Sequence, residues 1–235
     1  IPVTVIGESA FSNCSDLTDI VIPDSVTSIG GNAFSSCSSL TSIALPSAIT
    51  YIGESTFYGC TSLTSIEIPG SVTSIGEYAF AYCREMTDVV LNDNITEIPQ
   101  YAFAGCISLE NINLSKIVTI GDYAFIEDAA LQKVDMSSAE SIGEYAFVYC
   151  TKLSDVKLSE SGTDIAEGAF SYCSDLTSVQ NLQYSENIDS YAFAHTGIVE
   201  ADLSGAVTLG DFVFLKDKFT PFKVTLGNAL TSLGD

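Results

Sequence analysis

Phenylalanine recurs through this chain at Phe11, Phe34, Phe57, Phe80, Phe103, Phe125, Phe147, Phe170, Phe193 and Phe214, at intervals of 21 to 23 residues. A period in the twenties held from end to end means that each unit is a coil too small to bury its own apolar face, so it must stack on its neighbours. One right-handed solenoid domain over residues 1–235 is therefore expected, built of about ten coils of 22–23 residues. Functional chemistry is expected on its surface rather than in a pocket.

One unit runs over residues 37–59 and follows the frame C-x-x-L-x-x-I-x-L-P-x-x-[VI]-x-x-I-G-x-x-A/T-F, after which Cys60 restarts it. Within L-x-x-I-x-L the second and third apolar residues alternate as in a strand, and the spacing is that of a leucine-rich-repeat solenoid. Each coil is expected to add one short strand to a parallel β-sheet on one face, near residues 17–22, 40–45, 63–68, 86–91, 109–114, 131–136, 153–158, 176–181, 198–203 and 221–226. Pro23, Pro46 and Pro69 follow the third apolar residue and, lacking an amide proton, should end the ladder there. The next apolar pair, such as Val72 and Ile75, brings the chain back toward the core. Gly30, Gly53, Gly76, Gly121, Gly143, Gly210 and Gly234 directly follow that pair, which points to positive φ or to a close backbone approach. The stretch around each Phe is too short for an ordinary α-helix and reads as a helical or 3₁₀ turn opposite the sheet, with the ring turned inward. At about 4.8 Å per strand such a stack would be a rod about 48 Å long.

Two stretches leave the frame, residues 180–187 and 215–222, and read as loop bulges or contact loops. Both termini fall within a repeat, so the sequence is expected to be an excerpt of a longer array. Lys and Arg number 8 against 30 Asp and Glu, a formal charge of −22 with an isoelectric point near 4.1. A surface of that sign repels phosphate backbones and anionic headgroups, which argues against nucleic acid and against membrane insertion within this segment. Because no Lys or Arg precedes Arg84, the first half favours a basic partner or divalent cations.

Cys14, Cys37, Cys60, Cys83, Cys106, Cys150 and Cys173 each lie three residues after a repeat Phe. Asp128 takes that slot in one coil, and near Thr196 the register slips by one residue. An odd, evenly spread set without Cys-x-x-Cys or Cys/His clustering is neither a disulfide framework nor a zinc site. A column of buried thiols is expected instead, each giving its weak S–H donor to a backbone carbonyl. His195 is the only histidine and reads as solvent-facing or turn-filling. A dyad with Cys173 in the neighbouring coil lacks any hint of an oxyanion site, and no phosphate-cradling glycine loop is present. The chain reads as non-enzymatic, with no cofactor and no metal site.

Residues flanking the middle apolar position of each strand point outward. They give the pairs Asp19/Val21, Ser42/Ala44, Ser65/Glu67, Asp88/Val90, Asn111/Asn113, Lys133/Asp135, Asp155/Lys157, Ser178/Gln180 and Glu200/Asp202. This strip is the candidate binding face: small and hydroxylic residues dominate early, amides and mixed charges later. A second candidate strip is aromatic. Tyr78, Tyr101, Tyr123, Tyr145 and Tyr191 stand two residues before a repeat Phe, and Tyr82, Tyr149 and Tyr172 two after. Their rings are expected over the coil edges with hydroxyls in water, serving either packing or a platform for carbohydrate or protein.

The wording Ile-Pro-x-Ser-Val-Thr-Ser-Ile-Gly-x-x-Ala-Phe-x-x-Cys-x-x-Leu-Thr-x-Ile, read over residues 22–43 and again over 68–89 with Met86 and Val89 as replacements, closely resembles the BspA-like, or treponemal-type, class of leucine-rich repeats. The resemblance covers essentially the whole chain and is weakest at 180–187 and 215–222. It implies a secreted or surface-anchored protein of a mucosal bacterium or parasitic protist, acting as an extracellular adhesion module for host matrix, host-cell or microbial proteins. No catalytic residue carries over from that class. A structural spacer of a surface protein and a polysaccharide-binding solenoid remain as alternatives.

Overall fold

Two parallel ladders run along the computed structural model, which describes residues 2–216 and 221–234. The first is the one that the alternating residues predict. Ser65–Glu67, Asp88–Val90, Asn111–Ile112, Lys133–Asp135, Asp155–Lys157 and Val179–Gln180 form a six-stranded sheet in chain order, and Glu200–Leu203 pairs with Lys223–Leu226 beyond it. The middle apolar residue fixes the register: Val89 lies between Ile66 and Ile112, and Val156 between Val134 and Val179. A slip of one residue would send Val89 to water and Asp88 to the core, so the register is strongly specified. The strands are two to four residues long rather than six, and no strand is assigned within residues 17–22 or 40–45.

The second ladder was not foreseen. The V-x-x-I-G segments do more than lead the chain back to the core. Glu97–Ile98, Thr119–Ile120, Ser141–Ile142, Asp164–Ile165, Asn187–Ile188, Thr208–Leu209 and Ser232–Leu233 form a seven-stranded sheet. In earlier coils Val5–Ile6 pairs with Ser28–Ile29, and Tyr51–Ile52 with Ser74–Ile75. The glycine that follows answers to crowding and not to φ. A Cβ on Gly76 would stand 2.5 Å from the amide nitrogen of Glu54 in the preceding coil, and one on Gly121 2.6 Å from that of Gln100.

The phenylalanine segments are not the expected helical turns. From Phe11 to Phe193 the residues two before and two after each repeat Phe are left-handed, as at Tyr78 (φ 56°) and Tyr82 (φ 61°) around Phe80. A right-handed helix cannot run through such residues. Successive β-turns form instead, and alternate amides point along the rod: those of Tyr78, Phe80 and Tyr82 donate to the carbonyls of Gln100, Ala102 and Ala104 at 3.2, 2.8 and 2.7 Å. The one helix assigned among the described residues is the 3₁₀ segment Leu182–Tyr184, inside the expected bulge at 180–187. There Leu182 is buried and supplies the apolar group that Asn181 lacks, while Asn181 Nδ2 donates to the Leu158 carbonyl at 2.9 Å. Of the other expected bulge, residues 217–220 lie outside the described residues.

A column of rings runs through the apolar core. Phe34, Phe57, Phe80, Phe103, Phe125, Phe147, Phe170 and Phe193 are fully buried. From Phe11 to Phe214, consecutive centroids lie 5.0–5.6 Å apart with planes within 11°. A separation above the inter-coil rise gives the offset stacking that aromatic quadrupoles prefer.

Beside the rings runs the thiol column that the spacing predicts. Cys60 Sγ donates to the Phe34 carbonyl of the preceding coil at 3.2 Å, and Cys37, Cys83, Cys106, Cys150 and Cys173 repeat the bond. Cys14, in the first coil, is exposed. Asp128 fills its slot fully buried, with neither carboxyl oxygen hydrogen-bonded. Burial pushes this carboxyl well above the usual carboxylate range, against the opposing pull of the nearby Cys106 and Gly105 amides. In the slot after Phe193, Thr196 Oγ1 donates to the Phe193 carbonyl at 2.8 Å, and the next buried aliphatic, Ile198, arrives one residue early.

Candidate binding surface

On the first sheet the outward residues line up in two columns. Ser65, Asp88, Asn111, Lys133 and Asp155 follow one another in register; Glu67 stands opposite Val90, and Asp135 opposite Lys157 and then Gln180. Asp19, Val21, Ser42, Ala44 and Ser178 occupy the equivalent repeat positions, and Glu200 and Asp202 lie on the strand Glu200–Leu203. All these positions are exposed except Asp155 and Lys157, which are half-buried.

The strip divides along its length. In the second half the charges satisfy one another. Lys133 Nζ lies 3.7 Å from Asp155 Oδ2, Lys157 Nζ lies 3.3 Å from Asp135 Oδ2, and Gln180 Nε2 donates to Asp155 Oδ1 at 2.9 Å. Lys223 pairs with Glu200. Burial works against the ionised form of Asp135, but hydrogen bonds from Ser137 and Lys157 outweigh it and hold the carboxyl below its usual range. Such exposed pairs contribute about 0–1 kcal/mol each, so they order side chains more than they stabilise the fold. In the first half Asp19, Glu67 and Asp88 have no ion pair among the described residues. Val21 and Val90 stand beside them 86% and 59% exposed.

Three strip residues are tied to the fold itself. Asn113, Asp135 and Asp202 accept, through Oδ1, the amide hydrogens of Ser115, Ser137 and Ser204 at 3.1, 3.0 and 3.0 Å. Those serines occupy the repeat position at which Pro23, Pro46 and Pro69 have no amide hydrogen to satisfy. The proline coils accordingly leave Val21, Ala44 and Glu67 uncommitted in the same column. This exchange was visible in the sequence as proline against Asx-x-Ser, and the strip reading passed over it.

The tyrosines form columns of their own. Tyr78, Tyr101, Tyr123 and Tyr145 stack in turn with centroids 4.7, 4.9 and 5.4 Å apart. Gly168 interrupts the slot, and Tyr191 packs instead on Phe212 at 5.3 Å. On the other side of the Phe column Tyr149, Tyr172 and His195 stack at 4.6 and 4.3 Å, so the histidine fills a turn, half-buried. A ring face covered by a neighbouring ring is closed to a ligand, and the Tyr145 hydroxyl donates to Glu167. The hydrogen bond to Glu167, helped by burial, pushes the Tyr145 phenol up to about 12.

For nucleophilic chemistry the thiols are poorly placed. Burial pushes Cys60 up to about 12 and Cys83, Cys106, Cys150 and Cys173 well above the ordinary thiol value, which disfavours the reactive thiolate. Cys173 points to the Phe147 carbonyl, while the ring of His195 lies on Tyr172. Among the described residues no group of three or more His, Cys, Asp or Glu is arranged to hold a metal ion, and no helix is long and apolar enough to cross a membrane.

A family profile described as BspA type leucine rich repeat region (6 copies) matches residues 4–132 and 118–235. The chain belongs to this family of BspA-type leucine-rich repeats. Among solved structures it is similar to the leucine-rich repeat protein of T. pallidum, with 30% identity, a TM-score of 0.56, and coverage of 66% of this chain and 73% of that one. The pneumococcal vaccine antigen PcpA gives 18% identity and a TM-score of 0.58, covering 99% of this chain and 74% of that one. A leucine-rich repeat protein of Bacteroides ovatus gives 25% identity and a TM-score of 0.44, with 99% and 78% covered. No curated protein matches the chain. Repeats of this class are generally non-enzymatic scaffolds for protein–protein interaction.

Proposed function

We propose that the chain is a single solenoid domain acting as a non-enzymatic extracellular adhesion module, which holds a protein ligand of host matrix or cell surface on the first half of its sheet strip. One observation carries this reading: Asp19, Glu67 and Asp88, at outward positions of their repeats, have no ion pair among the described residues and stand beside the exposed side chains of Val21 and Val90. Apolar groups among uncompensated charges suit an interface in which burial supplies affinity and the carboxylates select a basic partner. The paired second half offers less to a ligand, because its charges are already engaged. Extracellular placement is taken from the resemblance to the BspA class; PcpA, of the same fold, is described as a vaccine antigen.

The test is binding of the chain to surfaces coated with extracellular-matrix proteins or with mucin, comparing the wild type with Asp88→Lys and Val90→Lys. Weaker binding by about tenfold with an unchanged melting temperature is expected for both variants. Binding that both variants leave intact removes the strip from consideration, and a wild type that binds neither coating supports a spacer role. Asp135→Lys is a poor probe here, because it also uncaps Ser137.

A further inference from the structure

A groove of about 660 Å³ runs along the second ladder, away from the sheet strip. It follows five successive coils, from Thr119–Ile120 to Thr208–Leu209, and reaches Ser232. Its length is set by the coil rise, about 24 Å, which matches about seven residues of extended chain. Gly121, Gly143, Ala166 and Gly210 line it directly after the buried aliphatic residues of these strands.

The charge along this groove is of one sign. Asp122, Asp164 and Asp189 line it, and no lining residue is Lys or Arg. Each carboxylate uses one oxygen within the fold: Asp122 Oδ1 accepts the Glu144 amide at 2.8 Å, Asp164 Oδ1 accepts Asn187 Nδ2 at 2.9 Å, and Asp189 Oδ1 accepts the Ser190 amide at 2.8 Å. These bonds fix the carboxylates in place and leave Oδ2 of each without an ion pair among the described residues. The contrast with the second half of the sheet strip is direct. There lysines and carboxylates from the same coils neutralise one another; here nothing does.

We propose that this groove is a second docking surface, distinct from the sheet strip, and that it takes an extended lysine- or arginine-rich segment of a partner protein. An extended chain fits a channel that crosses coil after coil, whereas a compact ligand would engage only one or two of the carboxylates. Cationic side chains fit carboxylates that are positioned but unneutralised, and a protein of net charge −22 draws such a segment in.

The experiment uses a fluorescent peptide of about eight alternating lysines and serines, with a glutamate–serine peptide as its control. Anisotropy titrations compare the wild type with the triple variant Asp122→Asn/Asp164→Asn/Asp189→Asn and with an off-groove triple variant at exposed carboxylates outside both surfaces, Asp16→Asn/Glu85→Gln/Asp175→Asn, which removes the same charge. Asparagine keeps the Oδ1 acceptor, so the internal bonds persist. The groove variant should bind the lysine peptide about tenfold more weakly or worse, and the off-groove variant within about twofold of the wild type. Equal losses in both variants, or no binding by the wild type, overturn the proposal. NMR of the wild type gives a readout independent of any variant: amide shifts should change at residues 119–122, 141–143, 164–166 and 187–189, and shifts confined to the sheet strip contradict it. Failure of the strip variants on matrix or mucin leaves these outcomes untouched, so the two surfaces are tested separately.

Discussion

Asn113 Oδ1 accepts the Ser115 amide hydrogen at 3.1 Å, in the turn position that Pro23, Pro46 and Pro69 occupy in earlier coils. The two solutions serve one need. In the six coils that carry Pro23, Pro46, Pro69, Ser115, Ser137 and Ser204 at this position, the chain leaving the first sheet either has no amide hydrogen there or satisfies it with the side chain two residues before.

That equivalence predicts a coupling. Asn113→Val should lower stability by about 1 kcal/mol, the usual cost of leaving a backbone donor without its partner. In a Ser115→Pro background the same change should cost close to nothing, since no donor remains. Urea unfolding of the four proteins of this cycle measures the difference; equal costs in both backgrounds would show that the bond has no structural role.

Asp128 should make stability depend on pH. Its unfolded carboxyl titrates at about 3.9, and burial sets the folded value well above that. Below the unfolded value both states hold the proton and nothing is lost. As pH rises past it the unfolded chain releases the proton while the folded chain keeps it, so stability falls until the folded value is passed. Asp128→Cys restores the thiol column and removes this dependence. Its advantage over the wild type should be small near pH 4 and at least about 1 kcal/mol near pH 7. Thermal or urea unfolding at the two pH values is the check, and an advantage that does not vary with pH contradicts the burial of the carboxyl.

Gly105 has φ 72°, and a Cβ there would lie 2.7 Å from the Tyr82 ring. Gly105→Ala should therefore cost about 1–3 kcal/mol, from the left-handed backbone and from displacement of the ring. Denaturant unfolding measures the cost, and the near-ultraviolet tyrosine signal reports the displacement. A neutral substitution would mean that the turn relaxes.

Thiol reactivity should separate Cys14 from the column. Cys14 is exposed and the other six cysteines are buried. A chromogenic disulfide reagent should label one thiol quickly in the native protein and the rest only in denaturant. Rapid labelling of several thiols would show the coils to be open.

The first ladder was legible because its strands carry alternating residues, as in Ser65, Ile66 and Glu67, which mark one face for the core. The second was not, because a two-residue strand such as Ser74–Ile75 has no room for alternation and is held by the neighbouring coils. The turn geometry was hidden for a different reason. Tyr78, Tyr101 and Tyr123 are left-handed, a conformation that tyrosine seldom adopts alone; repeated inter-coil bonds impose it. A signal did exist: Asn13, Asn32, Gly59, Gly105 and Gly168 occupy the same two slots, and these residue types favour positive φ. The binding strip was legible as a set of outward positions, but its division was not. The pairing of Lys133 with Asp155 follows from registered strands, which spacing within one coil cannot reveal.

Both proposed surfaces require coils stacked in register through the phenylalanine column, and Phe103 lies at its middle, fully buried between Phe80 and Phe125 with centroids 5.3 and 5.4 Å away. The most direct test is urea unfolding of Phe103→Ala, followed by both circular dichroism and tyrosine fluorescence. A loss of about 3–5 kcal/mol is expected. A loss below about 1 kcal/mol would contradict the stack, because a ring so enclosed cannot be removed that cheaply.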